Sequence, residues 1–235
     1  MARYLGSEIE LLQLERMQSG VSWTRNDELD KNGYVVIKNF CNLEELYHPL
    51  PKERGLVTYY GSIDNFQQMP EDLQMPGALS RTNHPQYKKV HSEYRGKVEK
   101  IIGRKLRNTF YYERFYFPGI ELPKHIDRPA CEITCAIDIS TTLKEPWSQG
   151  IKTPDVYTDR NKSAILVPGE DREIFFEPGD ALIFKSCERP TWRNTMPDNK
   201  RRWFGKKEEV YLHQIFFNYV IADGERSHHA YDRSV

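Results

Sequence analysis

His125 and Asp127, separated by one residue in Lys124-His125-Ile126-Asp127, are the side chains of this 235-residue chain whose types and spacing point most directly to chemistry. On an extended backbone, residues two apart project to the same face, so the imidazole and the carboxylate can reach one ion together. The pair offers one nitrogen and one oxygen ligand. A second imidazole from a distant strand would complete a two-histidine, one-carboxylate facial triad, which leaves open positions on Fe(II) for an oxo acid and dioxygen. Taken alone, the pair equally fits a hydrogen-bonded couple at a strand end.

The elements that must position such a pair are mostly strands. Tyr111 to Phe117 reads as a strand closed by the turn Pro118-Gly119, and residues 131–140, 163–167, 172–176, 181–186 and 209–221 are short runs of Ile, Val, Phe, Tyr and Thr broken by Gly and Pro. Together they signal a barrel or sandwich. Before them, Val90, Tyr94, Val98, Ile101 and Ile102 follow the helical period, which predicts a helix between Pro85 and Leu106 that covers one face of a sheet. Leu5, Ile9, Leu12 and Met17 suggest an amphipathic opening helix over 4–18. Gly33 to Phe40 reads as a strand, and Asn42-Leu-Glu-Glu45 as a capping box opening a short helix. Residues 51–87, rich in Pro, Gly, Asn and Gln, read as a long covering loop. Pro178-Gly179-Asp180 predicts a turn into Ala181-Leu-Ile-Phe184, and the basic stretch 199–207 an exposed hairpin or loop. No internal repeat is visible.

Composition narrows the function classes. Lys plus Arg equals Asp plus Glu at 34 each, so there is no global field to gather nucleic acid or an anionic membrane. The apolar fraction is only 38%, but 14 Tyr, 11 Phe and 4 Trp supply large surfaces for a core. No run approaches the ~20 apolar residues that span a bilayer, and Glu8 and Glu10 interrupt any signal-like start, which leads us to expect a cytoplasmic protein. Cys41, Cys131, Cys135 and Cys187 form no CxxC pair and lie in strand-like segments, so they read as buried thiols.

Residues 106–140, LRNTFYYERFYFPGIELPKHIDRPACEITCAIDIS, resemble a family of Fe(II)/2-oxoglutarate-dependent oxygenases that carry an H-x-D-R-P-x-C-E segment. Tyr116, Gly119, Leu122, His125 and Asp127 fall in the Tyr-x-x-Gly-x-x-apolar-x-x-His-x-Asp spacing of prolyl-hydroxylase-like oxygenases, in which the tyrosine lines the 2-oxoglutarate pocket. Residues 177–193, EPGDALIFKSCERPTWR, resemble the family's Gly-Asp-turn strand and its Gly-Cys-Glu-x-x-His-Trp-Arg segment, and residues 213–219, HQIFFNY, its last barrel strand. The resemblance runs from about residue 30 to about residue 232. It implies a mainly β fold with flanking helices around a double-stranded β-helix (jelly-roll, cupin-like) core. One domain over 1–235 is expected: covering elements in 1–105, the jelly roll in 106–222 and a tail in 223–235. The implied activity is a hydroxylase-type dioxygenase that takes Fe(II) and 2-oxoglutarate and releases succinate and CO2, with a small-molecule or peptide substrate. Tyr116 and Arg193 would fix the far end of 2-oxoglutarate, with Arg114 as the fallback cation.

One position departs from the family. In Glu188-Arg189-Pro190-Thr191-Trp192-Arg193, a threonine stands where the second metal histidine is expected. Three readings follow: His213 on the last strand supplies the missing nitrogen if the register turns it inward; the site keeps only His125 and Asp127; or catalysis is lost and the jelly roll serves as a binding module. Arg128 and Glu132 read as a structural ion pair at the barrel rim, Trp147, Trp192 and Trp203 as core or rim aromatics, and His228-His229 as a solvated tail. The five basic residues around two aromatics in Lys200 to Lys207 compose a patch that can touch nucleic acid, though the neutral chain favours a solvated loop. Neither the substrate nor the oligomeric state is written in these motifs.

Overall fold

Leu106–Tyr116 and Leu212–Ile221, two runs dense in β-branched and aromatic residues, pair antiparallel over nearly their whole length and form the spine of the fold. The computed structural model describes residues 23–47, 71–72, 74–160, 163–199 and 210–230. In chain order the elements begin with α1 (Asp27–Asn32), β1 (Tyr34–Ile37), α2 (Leu43–Tyr47), β2 (Leu79–Thr82), α3 (Lys88–Ile102) and β3 (Leu106–Tyr116). They continue through β4 (Leu122–His125), β5 (Ile133–Thr141), β6 (Gln149–Lys152), β7 (Val156–Arg160) and β8 (Ser163–Val167). The last are β9 (Asp171–Ile174), β10 (Ala181–Phe184), β11 (Thr191–Arg193) and β12 (Leu212–Ile221). A six-stranded antiparallel sheet runs β1-β10-β5-β12-β3-β2, a four-stranded one runs β4-β11-β6-β9, and β7 with β8 forms a separate hairpin. The two larger sheets make the double-stranded β-helix.

The period of two along the strands sorts residues onto the two faces of the six-stranded sheet. On β12, Ile215, Phe217, Tyr219 and Ile221 point outward and pack under Val90, Tyr94, Val98 and Ile102 of α3. The alternate residue Phe216 points inward, where it meets Ala136 and Leu182 of its own sheet and Ile151, Ile174 and Phe176 of the smaller sheet's side. α3 follows a 3-10 turn opened by Pro85 and stops at Gly103, whose φ of 66° lets its N–H bond to Glu99 O at 2.9 Å. The Pro178-Gly179-Asp180 turn forms as read, with Gly179 at φ 92° and Asp180 N–H on Glu177 O at 2.9 Å.

Several expectations change on contact with the fold. Part of the expected covering loop is a strand: β2 extends the sheet edge, pairing Leu79 with Phe115 and Thr82 with Tyr112. Its four residues carry no alternation, so pairing with β3 and not local pattern makes it a strand. β4, β6 and β11 are three or four residues long and equally silent in sequence. The opening helix 4–18, residues 51–70 and the basic run 200–207 lie outside the described residues. None of the four cysteines forms a disulfide. No helix among the described residues is long and apolar enough to cross a membrane.

On the outer face of the smaller sheet, the Trp192 indole lies against Gly150 of β6, with Lys124 Nζ 4.2 Å from the ring centroid. A Cβ at position 150 would overlap the indole. Gly150→Ala is therefore expected to lower stability by about 2 kcal/mol, the usual scale of overpacking. Urea denaturation checks this, and the cost should largely vanish in a Trp192→Ala background.

Candidate active site

β4 ends at His125 directly across from Thr191 of β11, and Thr191 in turn faces Ile151 of β6. The His125 ring is fixed from behind: Nδ1 lies 2.8 Å from the Pro123 carbonyl, which makes it the protonated nitrogen and leaves Nε2 facing Asp127 Oδ1 at 3.4 Å. Burial alone would lower the imidazole pKa, but the Asp127 hydrogen bond and charge and the Pro123 carbonyl together raise it. Asp127 is placed by its backbone, whose N–H donates to Ser186 O at 3.1 Å. Ser186 is itself tied to Cys131 O and Thr134, and Cys187 N–H also bonds to Cys131 O. Both side chains remain 21% exposed, so the pair opens to solvent at one end of the barrel.

Thr191 is differently engaged. Its Oγ1 donates to Gly150 O at 3.0 Å and accepts from Gln149 Nε2 at 2.5 Å, both on β6, and the residue is buried. The hydroxyl at the position where the resemblance leads one to expect an imidazole is thus committed to its neighbour strand. Two residues further along the same inward face, Arg193 is fully buried. Its Nε donates to Gln149 Oε1 and its Nη1 to Trp147 O, each at 2.9 Å, while Nη2 lies 3.8 Å from Asp138 Oδ1 and has no hydrogen-bond partner among the described residues. The guanidinium carbon sits 4.5 Å from the Trp147 ring centroid and 5.5 Å from that of Tyr116. Tyr116 stands edge-on to Trp147 and donates its hydroxyl to Gln214 Oε1 at 3.1 Å, and Gln214 Nε2 donates to Asp138 Oδ1 at 2.8 Å.

The sequence-derived residues therefore divide. His125 and Asp127 come together, and Tyr116 and Arg193 share the interior beyond Thr191. Arg114 is buried beside Tyr116, its guanidinium 5.7 Å from that ring and its charge opposing protonation of His125, with Nε on Asp72 at 2.8 Å and Nη2 on Gln74 at 3.2 Å. His213 requires a correction as the tentative third ligand. It is the direct partner of Phe115 on β3, stacks on that ring at 4.0 Å, and bonds through Nε2 to Glu113 Oε2 at 2.8 Å. Glu113 also binds Arg81 and Tyr87, so His213 lies on the outer face with the covering elements. The inward neighbour is Gln214. Among the described residues no group of three His, Cys, Asp or Glu side chains is placed to hold a metal.

Of the remaining candidates, Glu132 accepts from Ile221 N–H at 2.8 Å and pairs with Arg226 at 3.4 Å, while the Arg128 guanidinium lies over Phe110 at 4.2 Å. Trp147 lines the interior, Trp192 the outer face, and Trp203 is outside the described residues. His228 and His229 end a 3-10 turn over Glu225–His229. Gln149, Gln214 and Asp138 share the interior with Tyr116 and Arg193, and sequence reasoning does not pick them out. Only Asp138 carries a signal, a carboxylate within the otherwise apolar run Ala136-Ile-Asp-Ile139.

No family model and no curated protein matches the chain. Solved structures do. A prolyl-4-hydroxylase from Pseudomonas putida superposes with a TM-score of 0.53 at 13% identity, covering 82% of this chain and 95% of the other. The non-heme alpha-ketoglutarate-dependent carbocyclase SnoK of nogalamycin biosynthesis gives 0.56 at 10% identity, covering 89% and 91%. HygX from Streptomyces hygroscopicus, with nickel, 2-oxoglutarate and hygromycin B bound, gives 0.55 at 11% identity, covering 83% and 85%. At these identities the likeness is one of fold.

Burial raises the Asp138 carboxyl to about 7, against the opposing pull of Arg193 and the Gln214 hydrogen bond. The native protein thus keeps a proton that the unfolded chain releases near the ordinary pKa of ~4. The associated stability is full below that value and is lost as pH rises through about 7. Asp138→Asn should gain stability relative to wild type between about pH 5 and about pH 8, measured by urea denaturation at each end.

Proposed function

We propose that the protein is an oxygenase dependent on Fe(II) and 2-oxoglutarate, whose metal is held by two protein side chains, His125 and Asp127. The observation that carries this reading is the His125–Asp127 pair itself, with Nε2 and Oδ1 3.4 Å apart at an open end of a double-stranded β-helix and the ring tautomer set by Pro123. An ion seated between them takes one nitrogen and one oxygen donor, a set that suits Fe(II) when water and a 2-oxo acid supply the remaining positions. Thr191 does not contribute, because its hydroxyl already serves Gln149 and Gly150, and His213 is turned to the other face.

Iron and 2-oxoglutarate, if bound at this pair, would supply the chemistry by which dioxygen is consumed, one oxygen atom entering succinate as CO2 leaves and the other oxidising a substrate C–H bond. The chain's own residues position and shield. Pro123 keeps Nε2 of His125 available, and the Ser186 carbonyl fixes where Asp127 leaves β4. Arg193 presents Nη2 to the inner end of the cosubstrate, with Tyr116, Trp147 and Phe176 excluding water around it. The substrate, a small molecule or a peptide, meets the open side of the pair.

The inward commitment of Thr191 favours a second reading, a jelly-roll binding module that has lost its metal. An anaerobic titration of the protein with Fe(II) and 2-oxoglutarate separates the two, read by the visible charge-transfer absorption of a keto acid chelated to iron. The band is expected in wild type, absent in His125→Ala and retained in His213→Gln. No band at saturating iron would establish the binding module in place of the enzyme.

A further inference from the structure

Lys124 straps the outer face of the smaller sheet. In the strand order β4-β11-β6-β9 it starts on one edge strand, passes over Trp192 of β11 with Nζ 4.2 Å from the ring centroid, and reaches Asp171 on the opposite edge strand. There Nζ donates to both carboxylate oxygens at 2.7 Å. Beneath this strap the indole lies against Gly150, so the sheet closes one ring face and the other is turned outward. The surrounding groove has a volume of about 340 Å³, and Glu121, Pro123, Lys124, Asp171, Trp192 and Asn194 are among the residues that line it. Its charge is lopsided. Glu121 and Glu173 are met by neutral donors, the Thr195 hydroxyl at 3.2 Å and the Asn194 amide at 2.7 Å. Lys152, across from Asp171 on β6, leans to Asp155 at 4.0 Å, and Arg172 pairs with Glu170 at 2.8 Å. The carboxylates of Asp171, Glu121 and Glu173 therefore surround a single ammonium, that of Lys124.

We propose that this groove is a binding site for an alkylammonium ligand, which takes the place of the Lys124 ammonium over Trp192 and against Asp171. The resident lysine shows which group the site holds, an ammonium on an aliphatic stem between an aromatic face and a carboxylate. It also holds that group weakly. The Lys124 and Asp171 side chains are 40% and 56% exposed, a setting in which an ion pair and a cation-π contact each contribute little, and the flexible stem can turn into solvent. Lys124 is thus an intramolecular competitor that an incoming ammonium displaces. A lysine side chain of a peptide and a free diamine both carry the required group. The site lies on the outer face of the sheet and needs neither iron nor 2-oxoglutarate.

The test follows the indole N–H resonance of Trp192 by NMR in the full chain, assigned with Trp192→Phe. The probes are Nα-acetyl-lysine methylamide, putrescine and the uncharged Nα-acetyl-norleucine methylamide. Lys124→Met removes the competitor and is expected to bind the tighter of the two ammonium probes about tenfold better than wild type, the combined scale of an exposed ion pair and an exposed cation-π contact. The norleucine probe should not share that gain. Adding Asp171→Asn to Lys124→Met should weaken the ammonium probe about fivefold, the upper scale of an exposed ion pair. Tighter binding of the lysine derivative than of putrescine identifies a peptide as the source of the ammonium, and the reverse order a free diamine. No gain for either ammonium probe in Lys124→Met, an equal gain for norleucine, or an affinity that ignores Asp171→Asn would each overturn the proposal. Lys124→Gln is read in the same way if Lys124→Met does not fold.

Discussion

A guanidinium sealed inside a β-barrel must be answered on every side, and the interior of this protein is organised around that demand at Arg193. Desolvating a permanent cation is costly unless fixed dipoles and a counter-charge replace its water. Here the Gln149 amide and the Trp147 carbonyl take two nitrogens, aromatic faces cover the plane, and Asp138 stands opposite the third. Each of these groups needs partners of its own. Gln149 reaches Thr191, Asp138 reaches Gln214, and Gln214 reaches Tyr116, so one buried charge draws strands of both sheets into a single network.

The same period of two that makes the barrel decides which residues can join that network. A one-residue step along β12 separates Gln214, which is inside, from His213, which belongs to the Glu113 cluster outside. Burial alone would raise the Glu113 carboxyl, but His213 and Arg81 hold it below its ordinary value. His213 thus has a structural role in tying β12 and β3 to the edge strand β2. An imidazole that looks available in sequence is committed to the opposite face of the sheet.

Long periodic runs are legible in the sequence itself: α3 from Val90, Tyr94, Val98 and Ile102, and β3, β5 and β12 from their β-branched and aromatic density. The pairing of His125 with Asp127 is legible too, because a spacing of two on an extended chain sets both side chains on one face. Register is not. Whether residue 213 or 214 faces inward depends on irregularities in how β12 meets its neighbours, which local pattern does not encode. Gln149 is invisible for a related reason, since a lone amide in a four-residue strand acquires meaning only when β11 is laid beside it.

The contact between Gln149 and Thr191 also constrains what position 191 can hold. Gln149 Nε2 donates to Thr191 Oγ1, so the amide packs directly against the side chain at position 191. A larger side chain there would displace the Gln149 amide, which would in turn strip Arg193 of a partner. Residues 191, 149 and 193 thus form one mechanical unit, in which the side chain at 191 is felt at the buried guanidinium through a single amide.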